Sequence, residues 1–390
     1  MNIAVVGAGS MGRGIAQVAA MHGHEVLLFD KNPDALVQAR DFLLKIFNRL
    51  AAKGKISDVD AKEIFGRVYF VDSLSGFSET GLVIEAIIEN LDIKQSVFKE
   101  LESIVPKETI LATNTSSLSV SAIAAACQFP ERVVGIHFFN PPGLMKLVEI
   151  TPAVQTSAAT TQKAKSIIDT WGKVTVLAKD TPGFIVNRVA RPFYGEALRI
   201  LDEGIADVAT IDYAMKEIGG FRMGPFELMD YIGNDINYTV TETVFNAFYQ
   251  DPRYKPSFTQ KRLAEAGYLG RKSGKGYYNY GENAQNPAPN QDAHLAKAVF
   301  QRILVMLINE AADALFWQVA SKEDIELAMT KGVNYPKGLL HWADDLGIHT
   351  CVKMLDNLYD TYHEDRYRCS PLLRKMAKEQ TWFFKDGVWV

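Results

Sequence analysis

Short apolar runs alternate with amphipathic stretches through about the first 160 residues of the chain. Runs of four or five residues are typical of strands buried on both faces of a sheet, whereas the stretches between them have the period of helices. This alternation predicts a doubly wound α/β sheet. The predicted strands are Ile3–Val6, Glu25–Phe29, Val68–Val71, Leu82–Ala86, Ile110–Thr113, Val133–His137 and Lys146–Ile150.

The rest of the chain follows a different pattern. The pattern changes near Thr160, and beyond Pro182 and Gly183 the sequence is almost wholly helical. We therefore predict an α/β domain over residues 1–181. Within it, Pro33–Ala52 and Ser57–Phe65 predict a helical hairpin that is longer than a minimal crossover between strands.

The helical half contains an internal repeat. The same separation of 114 residues joins Arg188 to Arg302, Glu196 to Glu310, Ala214-Met215 to Ala328-Met329, Gly224 to Gly338, Asp230 to Asp344, and Gly233 to Gly347. One separation through so many identities indicates that a helical domain has been duplicated. We place the two copies at residues 182–284 and 291–390, with the polar segment Gly281–Asn290 as a linker.

The two copies differ where chemistry is expected. Asn187 in the first copy corresponds to Gln301 in the second, and the Gly270–Gly276 loop falls against Phe384–Val390, which has no such motif. We therefore expect the second copy to supply packing surface and the chain to have one active site.

A glycine-rich turn follows the first strand. Gly7, Gly9 and Gly12 stand in a G-x-G-x-x-G pattern that opens a helix, and the second strand ends at Asp30. Such a turn permits a tight bend and brings the backbone and a helix N-terminus to a pyrophosphate. A carboxylate at position 30 binds ribose hydroxyls and repels a 2′-phosphate, which favours NAD over NADP. The motif predicts a Rossmann-type dinucleotide site, although this pattern alone also fits FAD or a purely structural turn.

Polar side chains follow several later strands. Asn114-Thr-Ser-Ser117 comes directly after one strand, His137-Phe-Phe-Asn-Pro141 begins at the end of another, and Glu149 lies near the end of a third. Since the carboxyl ends of parallel strands line the ligand crevice, we expect these groups to converge. A histidine suits the removal of a proton from an alcohol at neutral pH, and a carboxylate on its other nitrogen fixes the tautomer. A histidine at a strand end is equally often a buried structural residue.

Composition excludes several classes of function. Among 390 residues, 42 basic and 46 acidic side chains give a formal net charge of −4, so no general attraction to nucleic acid or anionic lipid is expected. No apolar run approaches the roughly 18 residues needed to cross a membrane. The three cysteines are too few and scattered for a disulfide framework or a metal site. Because the chain opens with a strand rather than a signal peptide, we expect a cytoplasmic protein.

These motifs together resemble the 3-hydroxyacyl-CoA dehydrogenases. The resemblance covers residues 1 to about 281 and is carried by Gly7–Gly14, Glu85–Leu91, Asn114–Leu118, His137–Pro141, Met145–Glu149, Lys179–Arg188, Gly224–Leu228 and Gly270–Gly276. It implies NAD-dependent oxidation of an (S)-3-hydroxyacyl-CoA to the 3-oxoacyl-CoA, and the reverse. The additional repeat resembles bacterial two-repeat members that act on 3-hydroxybutyryl-CoA or 3-hydroxyadipyl-CoA.

The resemblance also implies roles for individual residues. His137 resembles the general acid/base and Glu149 its orienting partner, while Asn140 resembles a supporting group. Ser116 and Asn187 resemble groups that bind the reacting oxygen and the thioester end of the substrate. The implied cofactor contacts are Gly7, Gly9, Ser10, Met11, Gly12, Asp30, Glu89, Lys94, Asn114, Ser116 and Lys272.

The helical hairpin resembles the acyl-CoA clamp of this family. Its basic residues Lys45, Arg49, Lys53 and Lys55 suit CoA phosphates, although each is equally typical of a solvated helix face. Because helical domains mediate dimerisation in single-copy members, we expect a pseudo-symmetric monomer or a homodimer that uses another surface. Two alternatives stay open: a sugar-acid dehydrogenase of the gulonate type on the same scaffold, and a non-catalytic NAD-binding protein.

Overall fold

The structure is a computed structural model and describes residues 1–384 of the chain. Its internal contacts divide the chain into two compact units, one from Met1 to Phe184 and one beginning at Ile185. The first unit holds the sheet, and the second holds both helical repeats. The division of the helical half into two domains stays a prediction.

The first unit is built on one mixed sheet. Its eight strands, β1 to β8, are Asn2–Val6, Glu25–Phe29, Val68–Val71, Leu82–Glu85, Ile110–Thr113, Val133–Phe138, Leu147–Pro152 and Val174–Leu177. Their order in the sheet is β3-β2-β1-β4-β5-β6-β7-β8. The order reverses between β1 and β4, which is where a doubly wound sheet opens a crevice for its ligand. The predicted α/β fold class is therefore confirmed.

One strand pair departs from the parallel arrangement. Strands β6 and β7 pair antiparallel, whereas every other pair of neighbours in this sheet is parallel. The α/β pattern also runs further than expected, because a helix at Ala158–Asp169 and strand β8 follow Thr160. Strand β8 was not among the predicted strands, because the polar helix before it, which contains several Thr, Lys and Gln residues, does not stand out as a crossover in the sequence.

Helices cover the sheet. Helices α1 to α6 of this unit are Ser10–Met21, Pro33–Ala52, Asp58–Gly66, Leu91–Ile104, Val120–Ala124 and Ala158–Asp169. The hairpin of α2 and α3 is present as predicted, and local signals explain its ends. The Asn32 side chain caps α2 ahead of Pro33, and Ser57 forms a capping box with Asp60 at the start of α3.

The second unit is helical throughout its described residues, 185–384, apart from short turns and bridges. Helices α7 to α17 are Val186–Val189, Arg191–Asp202, Val208–Tyr213, Pro225–Ile232, Asn234–Ala247, Phe258–Glu265, Ala293–Phe316, Lys322–Leu327, Leu339–Leu346, Ile348–Tyr362 and Pro371–Glu379. Helix α13 is the longest of these and packs its buried apolar face against α8 and α15. Equivalent helices recur in the same order in the two repeats.

The repeats bind one another through reciprocal ion pairs. Arg188 of the first repeat donates from Nε to Glu310 of the second at 2.7 Å, and Arg302 of the second donates to Glu196 of the first at the same distance. These are the residues that the 114-residue separation relates. Burial alone would raise the pKa of Glu310, but the charges of Arg188 and Arg253 hold it below its ordinary value. The contact therefore has approximate two-fold symmetry within one chain.

The separation of 114 residues does not hold to the end of the repeat. Asp230 accepts the backbone N–H groups of Tyr277 and Tyr278, while its counterpart Asp344 accepts those of Phe383 and Phe384. Phe383 is therefore the counterpart of Tyr277 in the second repeat, and the loop that precedes it is shorter there than in the first repeat. The pairing of Gly270–Gly276 with Phe384–Val390 was wrong at Phe384, and residues 385–390 lie outside the described residues.

Candidate active site

The glycine-rich turn lies at the point where the strand order reverses. Gly7 has φ +104°, and a Cβ there would lie 2.5 Å from the carbonyl oxygen of Ala86, after β4. A Cβ on Gly12 would lie 1.7 Å from the Gly7 oxygen, so the fold itself excludes side chains at both positions. A Cβ on Gly9 would meet nothing within 4 Å. The missing side chain at Gly9 leaves open space beside the backbone, which fits a phosphate group approaching the turn.

The start of α1 and Asp30 complete this half of the site. Gly9 is the N-cap of α1 and no side chain caps that helix, so the first-turn N–H groups at Ser10 and Met11 face the open side. The Asp30 carboxylate accepts the N–H of Ala8 at 2.7 Å and the N–H of Asn32 at 2.9 Å. Asp30 is thereby held at the end of β2 with lone pairs left for further donors. These residues fit an anionic dinucleotide.

A buried lysine joins two carboxylates beside the turn. Lys94 of α4 is 1% exposed and lies 2.6 Å from Glu85 and 3.2 Å from Glu89. Glu85 ends β4, is fully buried, and also accepts the hydroxyl of Thr113 at 2.8 Å. The sequence reasoning predicted Glu89 and Lys94 but missed Glu85, whose signal is an acidic residue at the end of an otherwise apolar strand. The cluster fixes Glu89 at the mouth of the crevice.

Glu89 in turn orders the segment after β5. Its Oε1 accepts the hydroxyls of Thr115 at 2.5 Å and Ser117 at 3.0 Å, and the backbone N–H of Ser116 at 3.1 Å. Burial alone would raise the pKa of Glu89, but the Lys94 ammonium and the two hydroxyl donors hold it below its ordinary value. Glu89 is therefore ionised near neutral pH and binds the backbone of Ser116.

His137 and Glu149 form a buried hydrogen-bonded pair. The two residues are directly opposed in the antiparallel register of β6 and β7, and His137 Nδ1 lies 2.7 Å from Glu149 Oε2. Their side chains are 7% and 0% exposed. Because Nδ1 faces the carboxylate, Nε2 is the nitrogen left to exchange a proton with another molecule. Glu149 lies in the middle of β7 and reaches His137 because β7 runs antiparallel to β6. The two side chains therefore do not meet at the shared carboxyl ends of parallel strands, as the sequence pattern predicted.

Neighbouring groups hold the histidine in place. The aromatic rings of Phe139 and Phe184 lie 4.5 Å and 5.8 Å from the imidazole, measured between ring centroids. Asn114 at the end of β5 accepts the N–H of Phe138, the residue after His137, at 2.8 Å. Asn114 was predicted as a cofactor contact; its side chain oxygen binds the strand that carries His137.

The loop between β6 and β7 contacts the cofactor half of the unit. Asn140 is exposed, and its Oδ1 lies 3.4 Å from the hydroxyl of Ser10 in α1. A Cβ on Gly14 of the same helix would lie 2.7 Å from Pro142. Lys173, which precedes β8, donates to the carbonyl of Pro142 and to that of Met145 at 2.8 Å. Sequence reasoning missed Lys173, because the partners are about 30 residues away and no motif marks them.

The remaining predicted residues belong to other elements of the chain. Lys45, Arg49, Lys53 and Lys55 are all exposed along α2 and the turn after it. In the second unit, Asn187 is half-buried on α7, and Lys272 pairs with Asp235 at 2.7 Å. Their roles toward substrate or cofactor stay predictions.

None of the helices in residues 1–384 combines the length and the apolar character needed to cross a membrane. Within the same residues, no group of three or more histidine, cysteine or carboxylate side chains is placed to hold a metal ion.

Comparison with known proteins agrees with the geometry. Residues 2–181 match the family profile "3-hydroxyacyl-CoA dehydrogenase, NAD binding domain", and residues 183–280 and 299–387 match the corresponding C-terminal domain. A 3-hydroxyadipyl-CoA dehydrogenase of Escherichia coli is 38% identical across 96% of this chain and 97% of its own length. A probable 3-hydroxybutyryl-CoA dehydrogenase of Bacillus subtilis is 41% identical across 72% of this chain and 97% of its own length.

A solved structure shares the whole architecture. The crystal structure of a 3-hydroxybutyryl-CoA dehydrogenase from Escherichia coli matches with a TM-score of 0.91 and 36% sequence identity, over 97% of this chain and 98% of that one. The profile matches identify NAD as the cofactor, so the FAD alternative is set aside. The chain belongs to the 3-hydroxyacyl-CoA dehydrogenase family and is an NAD-dependent oxidoreductase.

Proposed function

We propose that this enzyme oxidises a short-chain (S)-3-hydroxyacyl-CoA to the 3-oxoacyl-CoA, and catalyses the reverse reduction, with His137 as general acid and base. The observation that carries the proposal is the hydrogen-bonded pair of His137 and Glu149. The pair lies in the same unit as the glycine-rich turn, and Asn140 and Ser10 link the two regions. A proton acceptor beside a dinucleotide site is the arrangement that alcohol oxidation requires.

His137 takes the hydroxyl proton during oxidation. Nε2 accepts that proton, and the Glu149 carboxylate on Nδ1 stabilises the imidazolium that forms. In the reduction, the protonated imidazole returns the proton to the developing alkoxide at C3. The near-complete burial of both side chains strengthens their interaction, because little water screens it.

Ser116 and Asn187 bind the substrate in this proposal. Ser116 has its backbone held by Glu89, which leaves its hydroxyl to donate to the reacting oxygen. Asn187 is assigned to the thioester end from its place in the family motif. Asn140 is assigned to the support of the loop that carries His137, a role consistent with its approach to Ser10.

In this proposal NAD binds at the glycine-rich turn and next to two acidic residues, Asp30 and Glu89. NAD bound there supplies the hydride acceptor for C3. The backbone at Gly7, Gly9 and Gly12 and the start of α1 take the pyrophosphate, and Asp30 takes the ribose hydroxyls. Glu89 and Lys94 act toward the nicotinamide half in this assignment, and Lys272 toward a phosphate.

The CoA moiety is assigned to the helical hairpin. The exposed basic residues Lys45, Arg49, Lys53 and Lys55 offer charges for its phosphates without requiring any of them individually. The acyl chain is short in this proposal because the similar proteins are named for hydroxybutyryl and hydroxyadipyl thioesters. We also propose a cytoplasmic location, and either a pseudo-symmetric monomer, as the reciprocal pairs between the repeats suggest, or a homodimer.

The test is NADH consumption by the purified protein with acetoacetyl-CoA, run beside NADPH and beside a panel of sugar acids with NAD. The proposal predicts rapid reduction with NADH and slower reduction with NADPH. Activity on sugar acids alone would overturn the substrate class while keeping His137 and the cofactor. Binding of NADH without turnover of either substrate class would contradict both substrate assignments.

A further inference from the structure

The buried lysine beside the glycine-rich turn has more negative charge around it than its own charge requires. Lys94 lies 2.6 Å from Glu85 and both side chains are almost fully buried, so this pair is already neutral. Glu89 adds a second carboxylate 3.2 Å from the same ammonium, and its side chain is 36% exposed. Among the described residues, Lys94 is the one basic side chain that forms an ion pair with either glutamate. The Glu85–Lys94–Glu89 cluster therefore carries one net negative charge.

The hydrogen bonds of the cluster fit two ionised carboxylates. Glu85 accepts the backbone N–H of Ile87 at 2.7 Å, the ammonium of Lys94 and the hydroxyl of Thr113. Glu89 lies against the same ammonium and accepts two hydroxyls and one backbone N–H from the segment after β5. All of these partners are donors, which is what an ionised carboxylate requires.

The strand order places this charge beside one half of the cofactor. Strands β2 and β4 pair with opposite edges of β1, and the glycine-rich turn follows β1. A dinucleotide whose pyrophosphate binds that turn extends over both neighbouring strands. Asp30 at the end of β2 is assigned to the adenosine ribose, so the nicotinamide half extends over the carboxyl ends of β4 and β5. Glu85 ends β4, and Glu89 binds the segment that follows β5.

The two redox states of NAD differ in charge in that half of the molecule. The oxidised nicotinamide ring carries one positive charge, and a hydride with its two electrons leaves the ring neutral. A negative cluster nearby stabilises the oxidised ring by Coulomb attraction and has little effect on the reduced ring. An excess charge beside a buried ion pair is costly unless a ligand balances it, and the oxidised ring is the form of the cofactor that does so.

We propose that the Glu85–Lys94–Glu89 cluster stabilises the oxidised nicotinamide through its net negative charge and thereby lowers the reduction potential of bound NAD. The inference rests on the assignment, made in the proposed function, of Glu89 and Lys94 to the nicotinamide half. Glu85 is a positioning residue, because it is fully buried and acts by holding Lys94. Since reduction of a 3-oxoacyl thioester converts NADH into NAD, the cluster favours that direction of the equilibrium on the enzyme.

The test measures the dissociation constants of NAD and NADH by calorimetry at pH 7, without acyl-CoA. The ratio of the two constants reports charge discrimination, because a loss of shape or of a shared hydrogen bond weakens both forms together. Glu89→Gln keeps the shape of the side chain and removes its charge. We expect it to raise the ratio of Kd for NAD to Kd for NADH by about tenfold, which raises the potential of the bound couple by about 30 mV.

Further variants separate charge from geometry. Glu89→Asp keeps the charge but shortens the side chain that binds Ser116, and is expected to stay close to the wild-type ratio. Glu85→Gln removes the other negative charge and is expected to raise the ratio several-fold while Glu89 is unchanged. Glu100→Gln, which alters an exposed glutamate of the same helix α4, is the matched control and is expected to keep the wild-type ratio.

An unchanged ratio in Glu89→Gln, with both forms bound more weakly, would overturn the inference and leave Glu89 as a residue that orders the segment after β5. An equal rise in Glu89→Asp and Glu89→Gln would also overturn it, because geometry rather than charge would then govern the ratio. If circular dichroism shows that Glu89→Gln does not fold, Glu85→Gln decides in its place, and an unchanged ratio there contradicts the inference.

Failure of the proposed substrate gives a different result. The two dissociation constants require no acyl-CoA, so they are measured equally well if acetoacetyl-CoA is not reduced. Conversely, an unchanged ratio in the variants would overturn the role of the cluster and leave the role of His137 intact.

Discussion

His137 and Glu149 oppose each other across β6 and β7, with 2.7 Å between imidazole Nδ1 and carboxylate Oε2. The antiparallel register places the two residues side by side although 12 positions separate them in the chain. The carboxylate is fully buried and fixes which ring nitrogen remains for chemistry. The position of His137 is thus set by the sheet itself rather than by a loop.

Removing the charge of Asp30 is expected to weaken the preference for NADH over NADPH. In Asp30→Asn the side-chain oxygen can still accept the Ala8 N–H, but the carboxylate that repels a 2′-phosphate is gone. We expect the ratio of kcat/KM for the two cofactors to fall by about tenfold, the effect of about 1.4 kcal/mol. Asp34→Asn, an exposed acid in the first turn of α2, is the matched control. Equal ratios in Asp30→Asn and the wild type would contradict the assignment of Asp30 to the ribose hydroxyls of the cofactor.

The two repeats offer a matched pair of amide residues. Asn187→Ala is expected to lower kcat/KM for acetoacetyl-CoA by about tenfold, because a hydrogen bond to the substrate is lost. Gln301→Ala, the corresponding change in the second repeat, is expected to leave the kinetics unchanged. Steady-state rates with NADH at saturation measure both. Equal losses in the two variants would contradict the idea that only the first repeat contributes to catalysis.

Lys173 gives the enzyme a predictable dependence of stability on pH. Burial lowers the pKa of this lysine from 10.5 to about 8. Between those two pH values the unfolded chain retains a proton that the folded lysine has released, so this group makes the free energy of unfolding rise with pH. Below pH 8 the charged lysine donates to the carbonyls of Pro142 and Met145.

Lys173→Met is therefore expected to reduce the slope of unfolding free energy against pH between 8 and 10.5, measured by denaturant titration. The stability of the wild type relative to the variant is expected to rise over this range, because burial disfavours the charged lysine that the wild type holds at pH 7. Lys163→Met, an exposed lysine on α6, serves as the control and should match the wild type. Identical slopes in all three proteins would show that Lys173 does not titrate in this range.

Local sequence signals predicted the parts of the site that are contiguous in the chain. The turn at Gly7–Gly12 is dictated by backbone geometry, because a side chain at either end would overlap neighbouring backbone, and such positions are recognisable as glycines. The strand–turn–helix–strand order up to Asp30 follows from apolar periodicity. The resemblance to a family then gave residues such as His137 and Glu149 their expected roles.

Contacts between distant segments could not be predicted in this way. The sequence does not reveal that β7 runs antiparallel to β6, which is the reason that Glu149 reaches His137 from mid-strand. Nor does it mark Lys173 as the residue that binds the β6–β7 loop, or Glu85 as the partner of Lys94. These interactions depend on the three-dimensional order of strands, on which local propensity carries little information.

The repeat shows both the strength and the limit of sequence comparison. A constant separation correctly related Arg188 to Arg302 and Glu196 to Glu310, which form reciprocal pairs. It failed at Phe384, because the shortened loop of the second copy changes the separation while the contact to Asp344 is kept.

The most direct test of this account compares two histidine–glutamate pairs of the same chain. His137 pairs with Glu149, and His341 of the second repeat pairs with Glu326. With acetoacetyl-CoA and NADH, His137→Gln is expected to lose about 10²- to 10⁴-fold in turnover while NADH binding survives, and His341→Gln is expected to keep wild-type turnover. Near-normal turnover in His137→Gln would contradict the assignment of His137 as the general acid and base.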